Sequence, residues 1–205
     1  LENHQISDKQ IHYSTLLEVL GLKQTLWCMR AEPQFLNLWF RFGVWCARQI
    51  PPGLFDEQSI RSLEVTEMFV GGKATEQELR DAQEVAASMV KEYNPLQSME
   101  YLDNTEKWTR FSAARTIRDL TLSPADESYE NLSRSVDQSA MTLAWNYSLM
   151  TDPDGKSPEG YKEFQEAREA AQFAQADAFK QFVTVGLLPP TPGMKTLINC
   201  YEREV

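Results

Sequence analysis

The chain has 205 residues, 42% of them hydrophobic and 11% aromatic, with nine glycines and ten prolines. So much apolar surface excludes a disordered chain, a chain this long buries a core without staples, and so few turn-forming residues argue against an all-β protein. The formal net charge of −10 repels phosphate backbones and sets direct nucleic-acid binding aside.

Eight helical segments are predicted in chain order. Tyr13 to Leu20 is a short apolar helix ended by Gly21, a residue suited to the left-handed position past a helix end, and Leu22 to Arg30 continues it at an angle. Pro33 opens a third helix to about Ile50, in which Phe35, Leu38, Trp39, Phe42 and Cys46 recur at three and four residues and mark a buried face. Phe40 and Trp45 lie off that stripe, so this helix is apolar almost all round and is expected at the centre. Pro51-Pro52-Gly53 stops it. Asp56 then caps a fourth helix, with Ile60, Leu63 and Val70 inward, which ends at Gly71-Gly72.

Thr75-Glu76-Gln77-Glu78 is the clearest local signal, a capping box in which the Thr75 hydroxyl accepts from the Glu78 backbone and the Glu78 carboxylate reaches back. Leu79, Ala82, Ala86, Met89 and Tyr93 follow on one face of the fifth helix. Asn94-Pro95 restarts the chain, and the sixth helix is expected from about Leu96 to Asp119, before a break at Ser123-Pro124. The seventh carries Leu132, Val136, Ala140, Leu143, Tyr147 and Met150, and a polar loop from Thr151 to Pro158 follows. The eighth carries Phe164, Ala167, Ala171, Ala174, Ala178 and Phe182 and ends at Gly186, its alanines allowing two helices to approach closely. The reading is an all-α, single-domain bundle of about eight helices over residues 1–186, followed by an extended, proline-containing tail over 187–205.

Reactive chemistry is sparse. The only histidines, His4 and His12, lie near the start of the chain, where a nucleophile–base pair lacks rigid support. Cys28, Cys46 and Cys200 have unrelated spacings, which fits reduced thiols of a cytoplasmic protein better than a disulfide framework or a zinc site. Cys28 and Cys46 read as small buried hydrophobes. No phosphate loop, dinucleotide fingerprint or calcium loop is present, and no helix carries the Glu-x-x-His pattern of a di-metal bundle. No catalytic residue, metal or cofactor is therefore assigned. No apolar run approaches the ~18 residues of a membrane span, and Leu1-Glu2-Asn3-His4 is polar, so neither a signal peptide nor a span is expected.

Charge is unevenly placed. From Thr121 to Asp177 there are eleven acids against four bases, a local charge of −7. Just before it, Lys107, Arg110, Arg115 and Arg118 fall on one side of a helical wheel. Asp126, Glu127, Glu130, Asp152, Asp154 and Glu159, at helix ends and loops of the acidic half, are the candidate partner-contacting residues. Their alternative role is to complement helix macrodipoles.

Between residues 20 and 90 the runs Leu26-Trp27-Cys28-Met29-Arg30-Ala31, Trp39-Phe40-Arg41 and Val44-Trp45-Cys46-Ala47-Arg48 are followed by Leu54-Phe55-Asp56-Glu57-Gln58-Ser59. Then come Leu63-Glu64-Val65-Thr66-Glu67, Gly71-Gly72-Lys73-Ala74-Thr75 and Glu78-Leu79. Together they resemble an all-α family of immunity proteins encoded beside bacterial polymorphic toxins and in phage genomes, with a looser echo from Glu163 to Phe182. The resemblance implies a non-enzymatic, bacterial or phage inhibitor or antitoxin-like protein whose partner is a toxin or a host defence factor. The alternative is a self-associating structural or assembly component, with exposed aromatics of the third helix or the proline-rich tail forming the contact.

Overall fold

A computed structural model describes residues 11–97, 105–122, 128–151 and 158–189, and among these it is helix almost throughout, with no strand. Seven α-helices follow one another: α1 (Tyr13–Cys28), α2 (Leu36–Arg48), α3 (Glu57–Val70), α4 (Glu76–Glu92), α5 (Thr105–Thr121), α6 (Ser128–Thr151) and α7 (Pro158–Val185). Short 3-10 turns at Met29–Ala31, Pro33–Phe35, Pro52–Leu54 and Pro95–Gln97 join or precede them. From α3 onward each helix packs against the next, α1 closes against α6 and α7, and α2 touches α3, α5, α6 and α7. The architecture is the multi-helix bundle that the periodicity predicts.

The difference between eight segments and seven helices is Gly21. It adopts φ 76° and ψ 170°, outside the helical region, yet the helix resumes at once on its far side, so α1 is one element with a kink. That backbone region is essentially restricted to glycine, which has no Cβ to clash there. The Thr25 hydroxyl donates to the Gly21 carbonyl at 2.8 Å, which satisfies one acceptor that the kink would otherwise strand.

α2 is central, as its sequence indicates. Trp39, Phe40, Phe42, Val44, Trp45, Cys46 and Ala47 are all buried, Leu36 and Leu38 are half-buried, and Phe35, expected on the inward stripe, precedes the helix and is exposed. Around it Tyr13, Trp39, Phe42, Phe179 and Phe182 form a chain of ring contacts with centroids 5.1–6.5 Å apart. Gly43 sits where α2 crosses α5 and α6: a Cβ there would stand 2.5 Å from Leu132 Cδ1 and 2.7 Å from Leu120 Cδ1.

The caps form as expected at two helices. Asp56 accepts from the Ser59 backbone N–H at 2.8 Å, and Thr75 and Glu78 complete the reciprocal capping box at α4. Leu79, Ala82, Ala86 and Met89 are buried as predicted, with Tyr93 half-buried at the helix end. Elsewhere the inward face differs from the apolar pattern. α3 buries Ser59, Ser62, Leu63 and Thr66, while Ile60 and Val70 are half-buried. Met150, in the last turn of α6, is exposed rather than inward. On α7 the buried positions are Phe164, Ala171, Gln175, Ala178, Phe179 and Phe182, with Ala167 and Ala174 half-buried at the edge of the stripe. Pro95–Gln97 form a 3-10 turn, and α5 is described from Thr105 onward.

The second half of the bundle is packed through hydroxyls. α5 buries Thr105, Thr109, Ser112 and Thr116, and α6 buries Ser135, Ser139, Thr142 and Asn146 against neighbouring helices. Most of these hydroxyls donate to a carbonyl of their own helix, as in Thr109 to Thr105 at 2.8 Å and Thr116 to Ser112 at 3.0 Å. Ser135 instead donates across the interface to the Thr116 carbonyl at 2.9 Å.

Candidate functional site

A groove of about 560 Å³ opens where Gly21 breaks α1. Leu17 lines it before the kink and Leu22 and Leu26 after it, Val136 and Asp137 contribute from α6, and Phe173 and Ala176 from α7. Lys23, Gln24, Ser133, Glu169, Gln172 and Gln175 also line it, so apolar side chains are interleaved with polar ones. Asp137 Oδ1 accepts from Arg168 Nη2 at 3.0 Å and from Gln172 Nε2 at 3.1 Å. The buried Gln175 amide donates to the Ser139 hydroxyl at 2.8 Å and to the Val136 carbonyl at 3.2 Å, pinning α7 onto α6 beneath the opening. Polar groups held this way orient a ligand without needing to rearrange.

Phe173 is the feature that a structural role does not account for. It lies off the buried stripe of α7 and is 72% exposed, although it faces the groove. Val19 and Leu20, just before the kink, are also exposed. Of the charged side chains, Lys23, Asp137 and Glu169 line the groove; Glu18, one residue beyond the lining Leu17, is exposed. Glu18 accepts from Lys180 Nζ at 2.9 Å, and that ammonium holds the Glu18 carboxyl below the usual range.

The residues predicted to touch a partner are only partly placed. Asp126, Glu127, Asp152 and Asp154 lie outside the described residues, and Glu159 is in the first turn of α7 with its side chain outside them. Glu130 is exposed in the first turn of α6 and pairs with Arg134 one turn on, which suits the macrodipole role. Of the basic side chains before the acidic half, Arg110 pairs with Glu106 at 3.0 Å, Arg118 pairs with Asp119, and Arg115 lies over the Phe111 ring. Each of these three is engaged on its own helix rather than forming a free cationic face.

Residues with reactive side chains have structural work. His12 caps α1, its Nδ1 accepting from the Ser14 backbone N–H at 3.3 Å; His4 and Cys200 lie outside the described residues. Cys46 is fully buried, and burial pushes its thiol up, away from the reactive thiolate. Cys28 is half-buried rather than buried. Among the described residues no three of His, Cys, Asp and Glu converge as a metal ion would need, and no helix is long and apolar enough to cross a membrane.

Sequence reading missed the groove because its walls come from three helices whose apolar residues each have a core explanation. One signal was available. Phe173 stands on the polar side of a helix whose inward face was already complete, an aromatic outside the core pattern.

Comparison with family models, with curated proteins and with solved structures finds no match.

Proposed function

We propose that this chain is a non-catalytic, inhibitor-type or immunity-type protein that binds another protein by taking an apolar segment of it into the α1–α6–α7 groove. The observation that carries this reading is the exposed Phe173 beside a cleft that interleaves apolar side chains with polar ones. The net charge of −10 of the whole chain favours a basic partner. An amphipathic helix with a cationic outer face has the required shape, since such helices dock apolar residues at i, i+3 and i+7 into a groove. Attraction of that kind speeds encounter and is screened by salt.

Covering an exposed phenylalanine contributes ~1.5–3 kcal/mol. Phe173→Asp should therefore weaken binding by about 10–100-fold while leaving the fold intact. The test is affinity capture from the native host with the wild-type chain and with Phe173→Asp, followed by binding kinetics on the captured protein. A protein held by the wild type, lost by the variant and associating more slowly at high salt supports the reading. A protein held equally by both, or bound at a salt-independent rate, removes it.

Self-association is the second reading, favoured by Trp27 and Phe35, which are 54% and 45% exposed. Light scattering separates the two: a tight symmetric oligomer dispersed by Trp27→Asp supports assembly, and a monomer removes it.

A further inference from the structure

The lining of the α1–α6–α7 groove carries a charged side chain from each of its helices: Lys23, Asp137 and Glu169. Asp137 is already answered, since Arg168 Nη2 donates to its Oδ1 at 3.0 Å. Just outside the lining, Glu18 and Lys180 answer each other at 2.9 Å. Lys23 and Glu169 differ from these. Both are exposed, and among the described residues neither forms an ion pair. α1 therefore presents an unpaired ammonium, and α7 an unpaired carboxylate, to one opening.

The fold sets these positions. The break at Gly21 turns α1, and Leu22, Lys23 and Leu26 line the groove from the far side of the kink. On α7, Glu169 lies four residues before Phe173, so the carboxylate and the exposed ring are neighbours on one face, a turn apart.

Opposite charges on two walls carry information that apolar contacts lack. A helix docked by its apolar stripe can be turned end for end about the axis pointing out of the groove, and the stripe still faces inward. The turn exchanges the flanks of that stripe. Apolar contacts discriminate poorly between the two directions. Charges of opposite sign on the walls attract the flanks in one direction and repel them in the other, as flanking charges do between paired helices.

We propose, resting on the reading that a partner's helix fills this groove, that Lys23 and Glu169 fix the direction in which that helix lies. The occupant is a helix whose apolar stripe has an acid on the flank facing α1 and a base on the flank facing α7. The base sits about one turn from the side chain that covers Phe173.

Random peptides displayed on phage provide the probe. They are selected on the full chain, and those that Phe173→Asp no longer binds are the groove ligands. One of them is synthesised as selected and again with its flanking acid and base exchanged. The full chain should bind the selected form about threefold to tenfold more tightly, a preference that falls with salt. Lys23→Glu combined with Glu169→Lys keeps the net charge, alters only exposed positions and should reverse the preference. Glu169→Gln alone should weaken it, a readout that holds even where the double variant fails to fold. Groove ligands without an acid and a base on opposite flanks overturn the proposal while the groove reading stands. So does equal binding of the two forms, or a preference that the substitutions leave unchanged. Failure to select any ligand that depends on Phe173 removes the groove reading and the proposal together.

Discussion

The cluster around α2 and the contact between α5 and α6 are both buried and are built from opposite materials. Around α2, Trp39, Phe42, Trp45, Phe179 and Phe182 bury large rings against one another. Between α5 and α6 the buried side chains are mainly serine, threonine and alanine. The first region is stabilised by area: each ring removes much apolar surface from water. The second contributes little area per residue, and small side chains instead let the backbones approach closely enough for dispersion to accumulate. Its hydroxyls are tolerated because most are satisfied within their own helix, with Ser112 and Ser135 bonding across the contact, so for most no cross-helix register has to be met. A buried interface therefore need not look hydrophobic in sequence.

The largest expected effect separates the two materials directly. Phe42 is fully buried and touches both Trp45 and Phe179, so Phe42→Ala should cost ~3–5 kcal/mol. Thr116→Val removes a buried hydroxyl that bonds only its own helix, keeps the volume, and should change stability by about 1 kcal/mol or less. Chemical denaturation of both variants measures the ratio. Equal losses would erase the contrast.

Two close approaches come next. Ala171 is buried among Ala140 and Leu143 where α7 meets α6, so Ala171→Leu should overpack that contact and cost ~1–3 kcal/mol; a melt showing no loss would take the alanine stripe out of the core. Gly43→Ala sets two effects against each other. Alanine favours the helix by about 1 kcal/mol, but the new methyl meets Leu120 and Leu132, both fully buried and with little room to yield. Overpacking of ~1–3 kcal/mol should win, leaving a net loss of about 1 kcal/mol. A stabilised variant would show that these leucines can move.

These differences also explain what the sequence made legible. Periodicity placed α2 and α4 well because their buried residues are greasy, and the caps at Asp56 and Thr75 were read correctly because capping is chemistry local to four residues. α3 and α7 were read with their inner faces slightly turned. Ser59, Ser62, Thr66 and Gln175 are buried, and an apolar count scores such residues as outward. Gly21 was read correctly as a break with helix continuing at an angle from Leu22, because a positive φ interrupts a helix; the structure joins the two stretches across that kink. The Phe173 groove was invisible for a different reason: it joins residues distant in sequence, and no local pattern encodes a tertiary cleft.

The smallest predicted effect extends the comparison to pH. α2 begins without a side-chain cap, whereas α3, with its hydroxyl-bearing inner face, begins at the Asp56 carboxylate. Burial alone would raise the Asp56 carboxyl, but the Ser59 hydroxyl, donating at 2.7 Å, and the Ser59 backbone N–H together outweigh it and hold the group below its ordinary value. A carboxylate lowered by folding adds stability that is complete above its unfolded value of ~3.9 and is lost as pH falls through the folded value. Asp56→Ala should cost about 1 kcal/mol at neutral pH, and the gap to the wild type should narrow as pH drops below the unfolded value. Asp56→Asn keeps an acceptor without the charge and should show less of that narrowing. Hydrogen exchange at the first turn of α3 should quicken in acid before exchange in α2 does. If α2 opens first, the two halves are coupled through their shared helices more tightly than their separate chemistry implies.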